Sequence, residues 1–262
     1  MRIGRKIRWA VVILLAMIVL GGAALFGLAS YRPGDYQPMN LSAEQQDEVV
    51  GRLVDHVVRD FGNHAGEGVP FTWTITAKQA NAYLASMDAI AGLHGAHAPP
   101  MAALERAGFS GLAVAMHDGA LTLMVQSDKY DKILSLDLSA EFNDRNELYV
   151  RLRGIRVGAL PIPMWLVDDR IEQIRVRFRD QLAGPLEAGT TDIRAISVRG
   201  MGKVIRALLI TLEGKPIRPE LVWPVGAKHR VLVDQIHTAD GQAALHMIPS
   251  PPSAPPPRPS RP

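Results

Sequence analysis

The hydrophobic and polar positions of this chain begin with no rhythm at all. Residues 9–29 (WAVVILLAMIVLGGAALFGLA) include no charged side chain. At about 1.5 Å per residue the run makes about 31 Å of helix, which matches a hydrocarbon core of about 30 Å. Secretory signal cores are shorter, about 7–15 residues. The run therefore reads as an uncleaved transmembrane helix, with peptidase cleavage at Gly27-Leu28-Ala29 as the alternative. Arg2, Arg5, Lys6 and Arg8 precede it, and no basic residue follows before Arg32. That asymmetry predicts a cytoplasmic N-terminus and an exported remainder.

Residues 31–40 (YRPGDYQPMN) read as a short Pro/Gly linker, after which the period becomes helical. Ser42 and Gln45 form a capping box. Val49, Val50, Leu53, Val54, Val57, Val58 and Phe61 then make one apolar stripe, with an end expected near Gly62-Asn63. The polar side of this helix carries acids as well as bases, so it is expected to pack on its own domain rather than lie on a membrane. Residues 70–75 alternate as a strand. Thr76 and Gln79 open a second helix, expected to run to about Ala91, and a loop follows over 92–100.

A two-residue period then takes over. Leu112, Val114 and Met116 lead through His117-Asp118-Gly119 to Leu121, Leu123 and Val125. A long strand follows, with Leu134, Leu136, Leu138, Ala140 and Phe142 on one side and Ser135, Asp137, Ser139 and Glu141 on the other. Leu148, Val150 and Leu152 mark a fourth strand. Short turns between them predict an antiparallel meander with one wet face. The stretch Gly158-Ala159-Leu160-Pro161-Ile162-Pro163 breaks the pattern. Helices are expected over 164–182 (Val167, Ile171, Ile174, Phe178 and Leu182 on one side) and 200–212. Strands are expected near 221–223, 230–238 and 242–248, the last two meeting at Asp240-Gly241. Segments 114–123 (VAMHDGALTL) and 236–245 (IHTADGQAAL) echo each other, which leaves open a duplicated unit or two ordinary hairpins.

The expected division is a basic stub at 1–8, a transmembrane anchor at 9–29, a linker at 30–41, an exported α+β domain at 42–249 and a Pro-rich tail at 250–262. The fold class is α+β: a transmembrane helix, then a curved antiparallel sheet packed on amphipathic helices. The tail SPPSAPPPRPSRP is too rich in proline to build a core.

Charge and composition change this picture little. The net charge is +3. The four basic residues of the stub and the two of the tail, Arg258 and Arg261, outweigh it and leave about −3 for residues 9–257. The basic character thus sits in the ends and gives no basis for nucleic-acid binding. Absence of cysteine excludes disulfides, thiolate metal sites and cysteine nucleophiles. His94-x-x-His97 lacks the spacing and the glutamate of a zinc helix. Asp168-Asp169 suits a helix start electrostatically, and Ser110 in Gly-Phe-Ser-Gly is no nucleophile elbow. No catalytic residue, metal site or cofactor is expected. Arginines crowd residues 145–179. Arg151 and Arg153 share a strand face and would suit phosphate, although interleaved acids favour a salt-bridged surface.

One resemblance remains. The order of anchor, linker helix, strand, the helix starting Thr76-Ala-Lys-Gln-Ala-Asn-Ala-Tyr-Leu84, a Val-x-Met-x-Asp-Gly-x-Leu hairpin, long alternating strands and Gly158-Ala-Leu-Pro-Ile-Pro163 resembles YpmS-like bacterial membrane-anchored proteins. It resembles LmeA-like envelope proteins more distantly. The likeness covers about residues 42–249. It implies a domain similar to tubular lipid-binding domains and a non-enzymatic protein handling lipid or another apolar ligand at the cell envelope, near the bilayer. Arg151, Arg153, Leu160, Pro161, Ile162 and Pro163 are the candidate ligand residues. The rival expectation is an exported scaffold that binds an envelope protein through the arginine-rich face or the tail, and an anchored enzyme comes third.

Overall fold

A computed structural model describes residues 3–93, 99–166, 196–197, 216–217, 219–223 and 229–250. His94, His97, Asp168, Asp169, the helices expected over 167–182 and 200–212, and the tail lie outside the described residues. The chain is α+β, with helices packed on antiparallel strands. Helix α1 spans Ile3–Ser30, about 42 Å at 1.5 Å per residue. Its described side chains begin at Leu14. Among the described residues no helix is long and apolar enough to cross a membrane.

Helix α2, Ala43–Leu53, starts at the expected capping box: the Ser42 hydroxyl accepts from the Gln45 amide, and the Gln45 side chain accepts from the Ser42 amide. The helix does not stop at Gly62-Asn63. It passes into a π-helical stretch, Val54–Phe61, and continues as α3, Gly62–Glu67. Gly68, at φ +69°, ends it in the left-handed conformation that glycine adopts without steric cost. The wider i→i+5 turns change the angular step between side chains. Val54 leaves the apolar stripe and is exposed, whereas Phe61 and Ala65 are buried.

Strand β1, Phe71–Thr76, leads through a second capping box into α4, Ala77–Ala85. The expected single helix breaks at Ser86 and resumes as α5, Met87–Leu93. Helix α6, Pro100–Arg106, begins at the end of the expected loop and fills residues to which the sequence pattern assigned no element. It has no capping side chain of its own. Instead the Asp88 carboxylate accepts from the amides of Met101 (2.7 Å) and Ala102 (3.3 Å), supplying negative charge to the helix start.

The strands form two sheets rather than one. The first is an antiparallel meander: β2 (Phe109–His117), β3 (Ala120–Ser127), β4 (Lys132–Phe142), β5 (Leu148–Val157) and β6 (Leu160–Ile162), in that order. Its fifth strand is built from the stretch that breaks the sequence pattern. Pro161 has no amide hydrogen, and β6 tolerates it as the last strand of the sheet. The second sheet has the order β1-β10-β9-β8-β7. It consists of β1, β7 (Ile196–Ser197), β8 (Glu220–Trp223), β9 (His229–Ala239) and β10 (Gln242–Ser250), with only β7 and β8 parallel. Strand β1 therefore pairs with the far end of the chain, Phe71 opposite Met247.

The echoing segments are both hairpins, and their tips hold each other. The Gly119 amide donates to Thr238 O (3.0 Å) and the Gly241 amide to Met116 O (3.2 Å). Gly119 corresponds to Gly241 in the echo and Met116 to Thr238, so the two bonds are equivalents under an approximate two-fold relation. Between the sheets, Val114, Met116 and Ala243 pack with Ile75, Leu84 and Leu245. Phe61, Ala65, Val231, Val233 and Met247 form a second cluster. A third joins Leu148 to Ile217, Phe142 and Ile236.

Candidate functional site

The meander has two faces of opposite composition, and their burial runs against it. On the outer face lie Ala113, Ala115, Thr122, Met124, Ile133, Ser135 and Ser139, as the cross-strand register requires. All are buried: Met124 is 1% exposed and Ser135 0%. The expected wet face is therefore largely sealed. Its cover is the supposed linker, residues 31–41, which is packed rather than free. Pro33 is buried, and Tyr36, 4% exposed, clusters with Ala113, Ala115, Met124 and Ile133. Only glycine at 111 admits the Tyr36 hydroxyl, because a Cβ there would collide with it. Burial raises the Tyr36 pKa, Arg32 partly offsetting and Asp128 adding to the effect. Burial also raises that of Tyr83. The Tyr36 hydroxyl has no hydrogen-bond partner among the described residues.

The meander itself fastens the end of α1. Ala159 N–H donates to Leu28 O (2.8 Å), and Lys132 Nζ donates to Ser30 Oγ (2.6 Å). The Lys132 ammonium also lies 4.8 Å from the Phe26 ring centroid. Gly158, at φ +59°, sits under three carbonyl oxygens of α1 and its exit: a Cβ would come within 2.6 Å of Leu28 O and 2.7 Å of Ala29 O and Tyr31 O.

The inner face carries the large apolar side chains, in rows set by the register. Leu121, Leu138 and Leu152 make one row; Leu123, Leu136, Ile155 and Ile162 the next; Val125, Leu134, Val157 and Leu160 the third. The first two rows lead into the cores between the sheets. In the third every residue is only half-buried and belongs to none of the buried clusters, as is also true of Leu136 and Ile162. That corner adjoins the β3–β4 and β5–β6 turns, the end of the sheet that holds α1.

The structure separates the residues expected from sequence to share a site. Leu160 and Ile162 join the apolar corner. Pro161 faces the other way, opposite Arg156, and Pro163 is exposed beyond the strand. Arg151 and Arg153 lie toward the far end of β5. A bulge after Asp137 leaves Arg153 as the extra residue. Both arginines reach Glu141, at 3.7 Å and 3.5 Å. More than half exposed, such pairs contribute about 0–1 kcal/mol. Arg156 instead forms a fork on Asp137 (3.0 and 2.8 Å), which also accepts from Thr122 Oγ1 (2.7 Å).

A concavity of about 1080 Å3 lies between α4, the hairpin tips and residues 35–39. It is lined by Asp35, Lys78, Asn81, His117, Asp118 and Asp240 among others. Asn81 is already fully engaged. Its Nδ2 donates to Val114 O (3.0 Å) and its Oδ1 accepts from Val114 N–H (2.6 Å), so one side chain imitates a neighbouring strand on the edge of β2. His117 Nε2 meets Asp35 Oδ2 at 3.1 Å. The cleft's described lining contains no serine, threonine or cysteine for this pair to activate. The described residues contain no group of three metal-ligating side chains.

Sequence reading missed the α1 socket of Tyr36, Gly111 and Gly158. The available signal was an aromatic residue inside a Pro/Gly segment, which has no reason to be there if the segment is solvated. No protein-family model, curated protein or solved structure matches this chain.

Proposed function

We propose that this is a membrane-anchored, non-enzymatic protein of a cell envelope that takes up lipid or another apolar ligand on the inner face of its meander. In this reading α1 is a single transmembrane span with a cytoplasmic N-terminus and the two-sheet domain is extracytoplasmic. The supporting observation is the inverted burial of the meander. Serines and alanines of one face are sealed, while Val125, Leu134, Leu136, Val157, Leu160 and Ile162 of the other stay half-buried at the end where α1 arrives. A folded chain does not leave contiguous large aliphatic residues half-covered without a use for them. The apolar run of residues 9–29 supports the anchor. The scaffold reading has less to stand on, since Glu141 engages both Arg151 and Arg153.

The test is native mass spectrometry of the full chain extracted from membranes, paired with displacement of a fluorescent apolar probe. Bound lipid is expected, and Leu134→Asn with Leu136→Asn should weaken probe binding at least about tenfold, equivalent to about 1.4 kcal/mol. Lipid-free protein that takes up no probe would overturn the reading.

A further inference from the structure

We infer that the β3–β4 turn lies in the lipid headgroup layer, with Tyr130 and Lys129 as its contacts to a phospholipid surface. This rests on the anchor reading above and adds a seating of the domain that the anchor alone does not require. A transmembrane helix joined to a domain by a free linker sets no orientation. Here there is no slack. The last apolar residue of the run is Ala29, and the residues on either side of it are bound to the sheet: Leu28 O by Ala159 N–H, and Ser30 Oγ by Lys132 Nζ. Lys132 therefore marks the depth at which the helix leaves hydrocarbon.

Tyr130 is two residues from Lys132, at most about 7 Å along the chain. The polar layer on each side of a bilayer is about 5–8 Å thick, so the turn falls within or beside it. The turn's side chains suit that layer. Tyr130 is 64% exposed, and the Lys129 ammonium lies 5.0 Å from its ring centroid. An aromatic ring with a hydroxyl tip beside a lysine is the pairing enriched where hydrocarbon meets water. Lys129 and Lys132 are balanced by Asp128 and Asp131, which accept from Ser110 (2.5 Å) and Gln126 (2.7 Å). The contact thus needs no anionic lipid, and zwitterionic phospholipid suffices. The opposite turn, at Arg145, stands at the other end of β4, about 36 Å away at 3.3 Å per residue. The same seating brings the half-buried row containing Leu134 to headgroup level.

Because the chain has no cysteine, single spin labels can be placed directly. Leu20→Cys, Lys129→Cys, Tyr130→Cys and Arg145→Cys are made in the full chain and reconstituted in phosphatidylcholine vesicles. Depth is read from collisions with oxygen against a water-soluble nickel chelate. The expected order is hydrocarbon at 20, headgroup depth at 129 and 130, and water at 145. The Lys129→Cys label keeps Tyr130 in place, so loss of that ring cannot masquerade as failure. Labels at 129 and 130 as accessible to nickel as the one at 145, with 20 in hydrocarbon, would overturn the seating and leave the anchor standing. A water-exposed label at 20 would remove the anchor and the seating together.

Discussion

The two faces of the meander differ in the opposite sense to their composition. The outer face, made mainly of small and polar residues, is closed where residues 31–41 cross it; the inner face is made of large aliphatic ones, which are only half-buried at one end. Composition reports what a face tolerates, whereas burial reports what other segments do to it. On the outer face the small side chains permit close approach, and the segment after α1 uses that space by laying Pro33 and Tyr36 across the strands. Small residues here are the footprint of a cover. On the inner face Val125, Leu134, Val157 and Leu160 are only half-buried, and they lie at the end of the sheet that holds α1.

Five substitutions would break or sharpen this contrast. Tyr36→Ala removes the largest part of the outer cover and should cost about 3–5 kcal/mol, as deletion of a buried aromatic does; urea unfolding measures it. A loss under 1 kcal/mol would mean the cover is incidental. Gly158→Val forces a side chain into a left-handed position against three carbonyl oxygens. About 3 kcal/mol is expected from backbone strain and overpacking together. Chymotrypsin cleavage after Tyr31 should accelerate in parallel, and unchanged cleavage would count against a docked α1.

The most direct comparison uses two adjacent residues. Ser135→Leu puts three carbons in place of one fully buried hydroxyl and should cost about 2–3 kcal/mol. Leu136→Ser, on the half-open side, should cost about 1–2 kcal/mol. A reading by composition alone predicts the reverse order, so the sign of the difference decides between them. The smallest effect is Tyr36→Phe. The hydroxyl is buried without a partner among the described residues, so removing it should be neutral or stabilising by up to about 1 kcal/mol. Its signature is in alkali. Burial raises the Tyr36 pKa above the ordinary value of about 10. The stability this tyrosine contributes as a neutral group is complete below about pH 10 and is lost as pH rises through the raised value. The phenylalanine variant should lack that loss, and identical alkaline profiles would argue against a buried ring.

Legibility in the sequence followed the range of the interactions. Both Asp-Gly hairpins and both capping boxes were readable, because each is closed by residues within four positions of one another. The single sheet that the strands suggested became two, since the partner of β1 is supplied by β10 at the far end of the chain. Helix α6 was invisible because its start is neutralised by Asp88, outside its own segment. Strand β6 was hidden by Pro161, which argues against a strand unless that strand is known to be an edge. Of the candidate residues, Leu160 and Ile162 reached the apolar corner because alternation carried them there. Arg151 and Arg153 did not, because Glu141 was the nearer partner. The α1 socket was illegible because Gly111 and Gly158 matter only once Tyr36 and the carbonyls of α1 are placed beside them.

The clasped hairpin tips carry a consequence for how such a chain is made. Thr238 accepts the Gly119 amide, Met116 accepts that of Gly241, and β1 waits for β10. The meander has all its strands long before the second sheet can close. During synthesis, the early strand and the tip of the first hairpin therefore remain incomplete until the last hairpin emerges. Contacts this distant in sequence form slowly. A chain released early would keep α1 and the meander and lose its closure, leaving an unfinished edge on β1 instead of a smaller folded protein.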